Sequence, residues 1–205
     1  PGLPDLQGFG RRVMQVSPAE VYAMVVYQVG ALAAFAQAAG GVLSHVKAHG
    51  ALYNMAAKDR ALADAIARAV HEVDPRLVLF GLAGSEMIRA AEALGLPSAA
   101  EVFADRSYQD DGSLSPRGQP GALIEDADVA AAQVLQMVQH GTVRAASGKE
   151  VALRADTLCI HGDQPGALVF VRRIRGALDA IGVCVAAPEF PSTTQPNSTG
   201  GNPHA

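Results

Sequence analysis

Two rhythms of apolar residues alternate along the chain. Helical spacing opens at Ser17-Pro18-Ala19-Glu20, where Ser17 suits a cap, Pro18 the first turn and Glu20 the return bond of a capping box. That helix should run to about Ala39 and stop at Gly40-Gly41. Leu62, Ala65, Ile66, Ala69 and Val70 repeat at the same period and predict a helix over Lys58 to Glu72. Further helices are expected over Ser85 to Leu94, Asp126 to His140 and Pro165 to Ile181. Between them lie short apolar runs that read as strands: Val42 to Lys47, Leu77 to Phe80, Glu101 to Ala104, Thr157 to Ile160 and Val183 to Ala186. A long loop, Asp105 to Gly121, follows the third strand, and its length suits a lid or binding loop.

Strands that are apolar on both faces and alternate with helices predict an α/β fold with a covered parallel sheet. A β/α barrel and an open doubly wound sheet both satisfy that pattern. The polar residues favour the barrel. His45-Val46-Lys47-Ala48-His49, Gly81-Leu82-Ala83-Gly84, Asp105-Arg106 and His161-Gly162-Asp163 all stand at carboxyl ends of strands, which converge on one mouth in a barrel. Five strands are visible where a standard barrel has eight. The chain also starts without Met, in what reads as a loop already under way, so amino-terminal strands are expected to be missing. Residues 1–187 are read as one incomplete barrel domain. Residues 188–205, rich in Pro, Ser, Thr, Gly and Asn, are read as a disordered tail.

Composition narrows the partners. The 205 residues are 49% hydrophobic and 18% charged, which suits a packed body. The net charge of −4 is spread without a basic stripe, so nucleic acid is not expected. The apolar stretch Val21 to Ala39 is interrupted by Tyr22, Gln28 and Gln37. It falls short of the roughly 20 uninterrupted residues a membrane span needs and reads as a buried helix. No membrane contact is expected, and the cytoplasm is the expected location. Cys159 and Cys184 sit in apolar strands and read as buried, reduced thiols.

Three clusters carry candidate chemistry. His45, Lys47 and His49 place three nitrogen side chains within five residues, with His45 and Lys47 on one face by the period of two. Such a set suits proton transfer, an anionic substrate or a metal, or else hydrogen-bonded structural histidines. In His161-Gly162-Asp163 the aspartate can orient His161, bind a metal or cap the next helix. Asp105 and Arg106 form either a local salt bridge or a ligand contact. Arg106 or Arg117 can hold a carboxylate or phosphate with two bonds. Arg11 and Arg12, beside Gly8 and Gly10, can bind an anion. His71 and His140 read as structural, and Gly81-Leu82-Ala83-Gly84-Ser85 lacks the lysine of a nucleotide loop.

Several stretches together resemble the LamB/YcsF family. They are Gly8-Phe9-Gly10-Arg11-Arg12, His45 to Asn54, Glu101 to Tyr108, Asp111-Gly112-Ser113-Leu114 and His161-Gly162-Asp163, in the family's order and spacing from Pro1 to about Ala187. The resemblance implies a distorted β/α (TIM-like) barrel of the glycoside hydrolase/deacetylase type, lacking its first strands here. It implies a component of the ATP-dependent 5-oxoprolinase, which opens 5-oxo-L-proline to L-glutamate alongside subunits B and C. On that basis His45, Lys47, His49, Asp105, Arg106, His161 and Asp163 are the expected catalytic residues. Arg11, Arg12, Tyr53, Asn54 and Arg117 are expected to bind substrate or phosphate. ATP is the implied cosubstrate, and a divalent metal on His49, His161 and Asp163 is an option by analogy with deacetylases. A metal-dependent deacetylase and a non-catalytic scaffold subunit are the competing readings. The family's upstream acidic and His-bearing strands have no counterpart here, and Ala48 stands where the family usually has Pro.

Overall fold

Ser17 starts the first helix as its position predicts. Its hydroxyl accepts from the Glu20 N–H, the Glu20 carboxylate accepts from the Ser17 N–H, and α1 spans Pro18–Ala38. The computed structural model describes residues 1–162 and 166–187. The expected buried helix is instead largely exposed. Only Val21, Val25 and Val29 are buried, because the main packing against this helix comes along one stripe, from the helix over Arg60–Val73. Tyr27 and Phe35 stay 76% and 75% exposed. By length and composition α1 is also apolar enough to cross a bilayer, contrary to the reading of its polar interruptions.

After α1 come β1 (His45–Lys47), α2 (Gly50–Lys58), α3 (Arg60–Val73), β2 (Val78–Leu82), α4 (Glu86–Ala93) and β3 (Ser98–Phe103). Then follow α5 (Ala127–His140), β4 (Thr142–Arg144), β5 (Glu150–Ala152), β6 (Thr157–Cys159) and α6 (Ala167–Ala180). Asp59 caps α3 and Asp126 caps α5 through their carboxylates. Leu52, Ile66 and Val70 are fully buried, which contributes about 1.5–3 kcal/mol per side chain.

The strands β1-β2-β3-β6 form one parallel sheet in chain order. A doubly wound sheet would reverse its order and carry helices on both faces. Here Val46, Leu79, Ala100 and Val102 pack into the helices on one face. By register, Lys47, Phe80, Ala99, Glu101, Phe103 and Cys159 share the other. The result is an α/β fold with a parallel half-barrel sheet whose inner face carries the polar groups.

Two predicted elements change. Val183 to Ala186 forms no strand: the Val183 N–H donates to Leu178 O, closing the end of α6 after Gly182 at φ +76°. Cys184 is accordingly exposed, and Cys159 is only half-buried; both thiols are free. The β4–β5 hairpin and α2 are additions to the predicted elements. The expected tail over 188–205 lies outside the described residues.

Candidate active site

A cavity of about 520 Å³ opens over the carboxyl ends of the strands. Its floor is built by three of them. Lys47, the last residue of β1, sends Nζ to Glu101 Oε1 on β3 at 2.6 Å and to Cys159 Sγ on β6 at 3.4 Å. The Tyr53 hydroxyl, from α2, donates to Glu101 Oε2 at 2.8 Å. The ammonium also lies 5.3 Å from the Phe103 ring centre and 5.6 Å from that of Tyr53. Burial disfavours the charge on Lys47, but Glu101 outweighs it, helped by Cys159, and raises the pKa above the usual lysine value. Burial pushes the Tyr53 hydroxyl and the Cys159 thiol up, so both stay protonated at neutral pH.

Beside this floor stands a second pair. Asp105 is 2% exposed, and its carboxylate accepts from His161 Nδ1 at 2.7 Å and from the His161 backbone N–H at 3.3 Å. Burial alone would raise the Asp105 pKa; the bonds from His161 prevail and hold it below the usual carboxylate value. A carboxylate on Nδ1 selects the tautomer with the proton there, which leaves Nε2 with a lone pair when the ring is neutral. His161 lines the cavity and stacks on Phe103 with ring centres 5.8 Å apart.

The walls come from loops that the sequence holds by local bonds. Gln133 on α5 donates to the carbonyls of Phe103, Ala104 and Arg106, fastening the end of β3. Arg106 is buried; it donates to Ser115 O and to Ala122 O (3.4 Å), so it braces the loop over 107–122. Burial, then Arg117, lowers its pKa. On the opposite side the turn over 5–12 is pinned by Asp5, which accepts from Gly8 N–H and from the Arg12 guanidinium. Arg12 holds the Asp5 carboxyl at about 2. Phe9 adopts φ +53°, and its carbonyl accepts from His49 Nε2 at 2.7 Å. Gly50, at φ +60°, lets this turn approach: a Cβ there would lie 2.5 Å from Gly10 O.

The cavity is lined by Arg11, Lys47, Lys58, Arg106 and Arg117 with His49 and His161, and by no Asp or Glu among the described residues. The acids Glu101 and Asp105 lie behind Lys47 and His161, which they partner. Such a lining attracts an anionic ligand. Tyr53 and Asn54 join the wall as well.

Several expected residues sit elsewhere. His45 is exposed, bonds Ser44 Oγ at 2.8 Å and stacks on Phe80 with ring centres 4.5 Å apart, outside the cavity lining. It does share the inner face with Lys47, but two residues down the strand. Arg12 is spent on Asp5 rather than turned to the cavity. Of the two readings of Asp105 and Arg106, the mutual salt bridge does not form, since Asp105 turns to His161 and Arg106 to backbone carbonyls. Asp163 lies outside the described residues; among those described, Asp105 is the carboxylate on the His161 ring. Among the described residues no three His, Cys, Asp or Glu side chains cluster to hold a metal. Glu101 and Cys159 are site residues that the sequence reading missed. A signal for Glu101 exists: an acid in an apolar strand needs a partner.

The sequence model of the LamB/YcsF family matches residues 1–192. The chain is 62% identical over 188 residues to the A subunit of the 5-oxoprolinase of Geobacillus kaustophilus, covering 92% of this chain and 73% of that protein. It is 65% identical over 187 residues to the corresponding 5-oxoprolinase A subunit of Bordetella pertussis, covering 91% and 74%. The crystal structure of a lactam utilization protein from Thermus thermophilus superposes with a TM-score of 0.81 at 51% identity, covering 89% of this chain and 73% of that one.

Proposed function

The chain belongs to the LamB/YcsF family, and from that membership we propose that it acts as the A subunit of a 5-oxoprolinase, opening the lactam of 5-oxo-L-proline to L-glutamate with ATP and water. The observation that carries this reading is the meeting of Lys47 with the Asp105–His161 pair in one cation-lined cavity.

An unactivated lactam resists water because amide resonance weakens its electrophilic carbon. Phosphoryl transfer from ATP to the lactam oxygen releases ADP and makes that carbon more electrophilic; water adds there, the C–N bond breaks to leave an acyl phosphate, and a second water releases phosphate and L-glutamate. The tasks left for this chain are to bind the anionic substrate, activate water and meet the charge that develops on oxygen. His161 Nε2, with Asp105 fixing the ring, takes the proton from water and can return it to the leaving nitrogen. Asp105 also stabilises the imidazolium formed in between. Lys47 stabilises the developing negative charge from the floor. Arg11, Lys58 and Arg117 at the rim attract the carboxylate or phosphate, while Arg106 holds the loop that carries Arg117. His49, with Nε2 on the Phe9 carbonyl, shapes the wall. Among the described residues no third His, Cys, Asp or Glu clusters with His49 and His161 as a metal-ligand group, and the steps above use the chain's own side chains.

The same reading includes a fuller architecture, a distorted β/α barrel of the glycoside hydrolase/deacetylase type. The unreversed strand order and the one-sided helical cover support it. It also includes subunits B and C as partners and a cytoplasmic setting, where ATP is supplied. The test is glutamate release from 5-oxoproline and ATP by the chain assembled with its partner subunits. His161→Ala should lower kcat by about 10²–10⁴-fold; an unchanged rate would remove His161 from the mechanism.

A further inference from the structure

Lys47 can act from the cavity floor only if its ammonium stays charged and in one place. We propose that Glu101 is the positioning residue that secures both, with Tyr53 as its second support. This rests on the lactam hydrolase reading of the cavity.

Glu101 is 3% exposed, and both of its oxygens are occupied, Oε1 by Lys47 at 2.6 Å and Oε2 by the Tyr53 hydroxyl at 2.8 Å. A carboxylate so engaged does not serve as the base for water. It serves its cation. A lysine ammonium has three N–H donors. Among the described residues Glu101 takes one and Cys159 Sγ another, so a single N–H is left for a ligand, and the cavity is where Lys47 is solvent-accessible. The Phe103 and Tyr53 rings flank the ammonium and limit its swing. The groups that face Lys47 come from three elements: Glu101 and Phe103 on β3, Tyr53 on α2 and Cys159 on β6. His49, His161, Lys58 and Arg106 stand elsewhere around the cavity. Glu101 is thus the described acid in contact with Lys47, opposing the burial of its ammonium. A pair of this kind adds little net stability compared with an apolar substitute. Its position below the reacting volume is explained by what it does to the lysine.

The test uses two readouts on the full chain. In the assembly with its partner subunits, Glu101→Gln should lower kcat for glutamate release by roughly 10–100-fold, with KM for 5-oxoproline little changed. The alkaline limb of the pH–rate profile should move to lower pH. In the chain alone, the 15N-detected titration of Lys47 Nζ should move the same way. Glu101→Asp should restore part of kcat, and Tyr53→Phe, which leaves the ion pair intact, should cost only a few-fold. If Glu101→Gln does not fold, the Glu101→Asp and Tyr53→Phe titrations carry the test. A loss of kcat with an unmoved Lys47 titration would overturn the proposal, since it would mean a merely structural role. Unchanged kcat and titration would overturn it too. If the wild-type assembly releases no glutamate, the lactam hydrolase reading fails, while the Lys47 titration still decides whether Glu101 holds the ammonium.

Discussion

Glu101 and Asp105 stand four residues apart at the end of one strand. Both are almost fully buried, and each holds one nitrogen-bearing side chain at the same cavity. They differ in the partner. Lys47 carries an ammonium whose charge Glu101 favours, whereas His161 carries an imidazole that gives one nitrogen to Asp105 and lines the cavity with the rest of its ring. Glu101 therefore supports a fixed charge, and Asp105 supports a proton carrier. A buried carboxylate takes its function from the partner it is given.

Breaking the carrier should cost most. Asp105→Asn keeps the shape but no longer demands a proton on Nδ1, and kcat should fall by about 10³–10⁴-fold with little change in KM. Breaking the fixed charge comes next. Lys47→Met should lower kcat by about 10²–10³-fold and leave Glu101 buried without its cation, costing on the order of 3 kcal/mol in urea unfolding. The two pairs should also separate by pH. The folded Asp105 pKa is depressed, so its contribution to stability is present above the ordinary value of 3.8 and disappears as pH falls through the lower folded value. The folded Lys47 pKa is raised, so its contribution is complete below the ordinary value of 10.5 and is lost as pH rises through the higher folded value. Unfolding measured across pH should show a shallower acid slope in Asp105→Asn, with the share of Asp5 and the other depressed carboxyls kept, and a shallower alkaline slope in Lys47→Met. The smallest effect is expected at His45, outside the cavity lining, where His45→Ala should leave kcat within about twofold.

Much of this arrangement is legible in the chain. The α1 capping box, the Asp126 cap and the apolar period of α3 are local signals, and each element forms where those signals stand. The clustering of Lys47, Asp105 and His161 follows from their places at strand ends. What stays hidden depends on tertiary choices. Period two puts His45 and Lys47 on one face correctly, but only the strand end meets the cavity, and His45 sits below it. Asp105 and Arg106 are neighbours in the chain, yet successive residues at a strand end turn apart, so each finds a distant partner. The Val183 to Ala186 run has strand-like composition, but its first N–H is needed to close α6. Short α2 lacks a side-chain cap to announce it. Most of α1 stays outside because its main packing, against α3, covers one stripe, which no apolar count along the chain reveals.

Asp105 on Nδ1 leaves the neutral His161 ring with its free electron pair on Nε2, the nitrogen that takes the proton from water. The 15N chemical shifts of that ring, measured at a pH where it is neutral, report the tautomer directly. A protonated Nδ1 and a bare Nε2 are the predicted result. A ring carrying its proton on Nε2, with Nδ1 bare against the Asp105 carboxylate, would contradict the assignment.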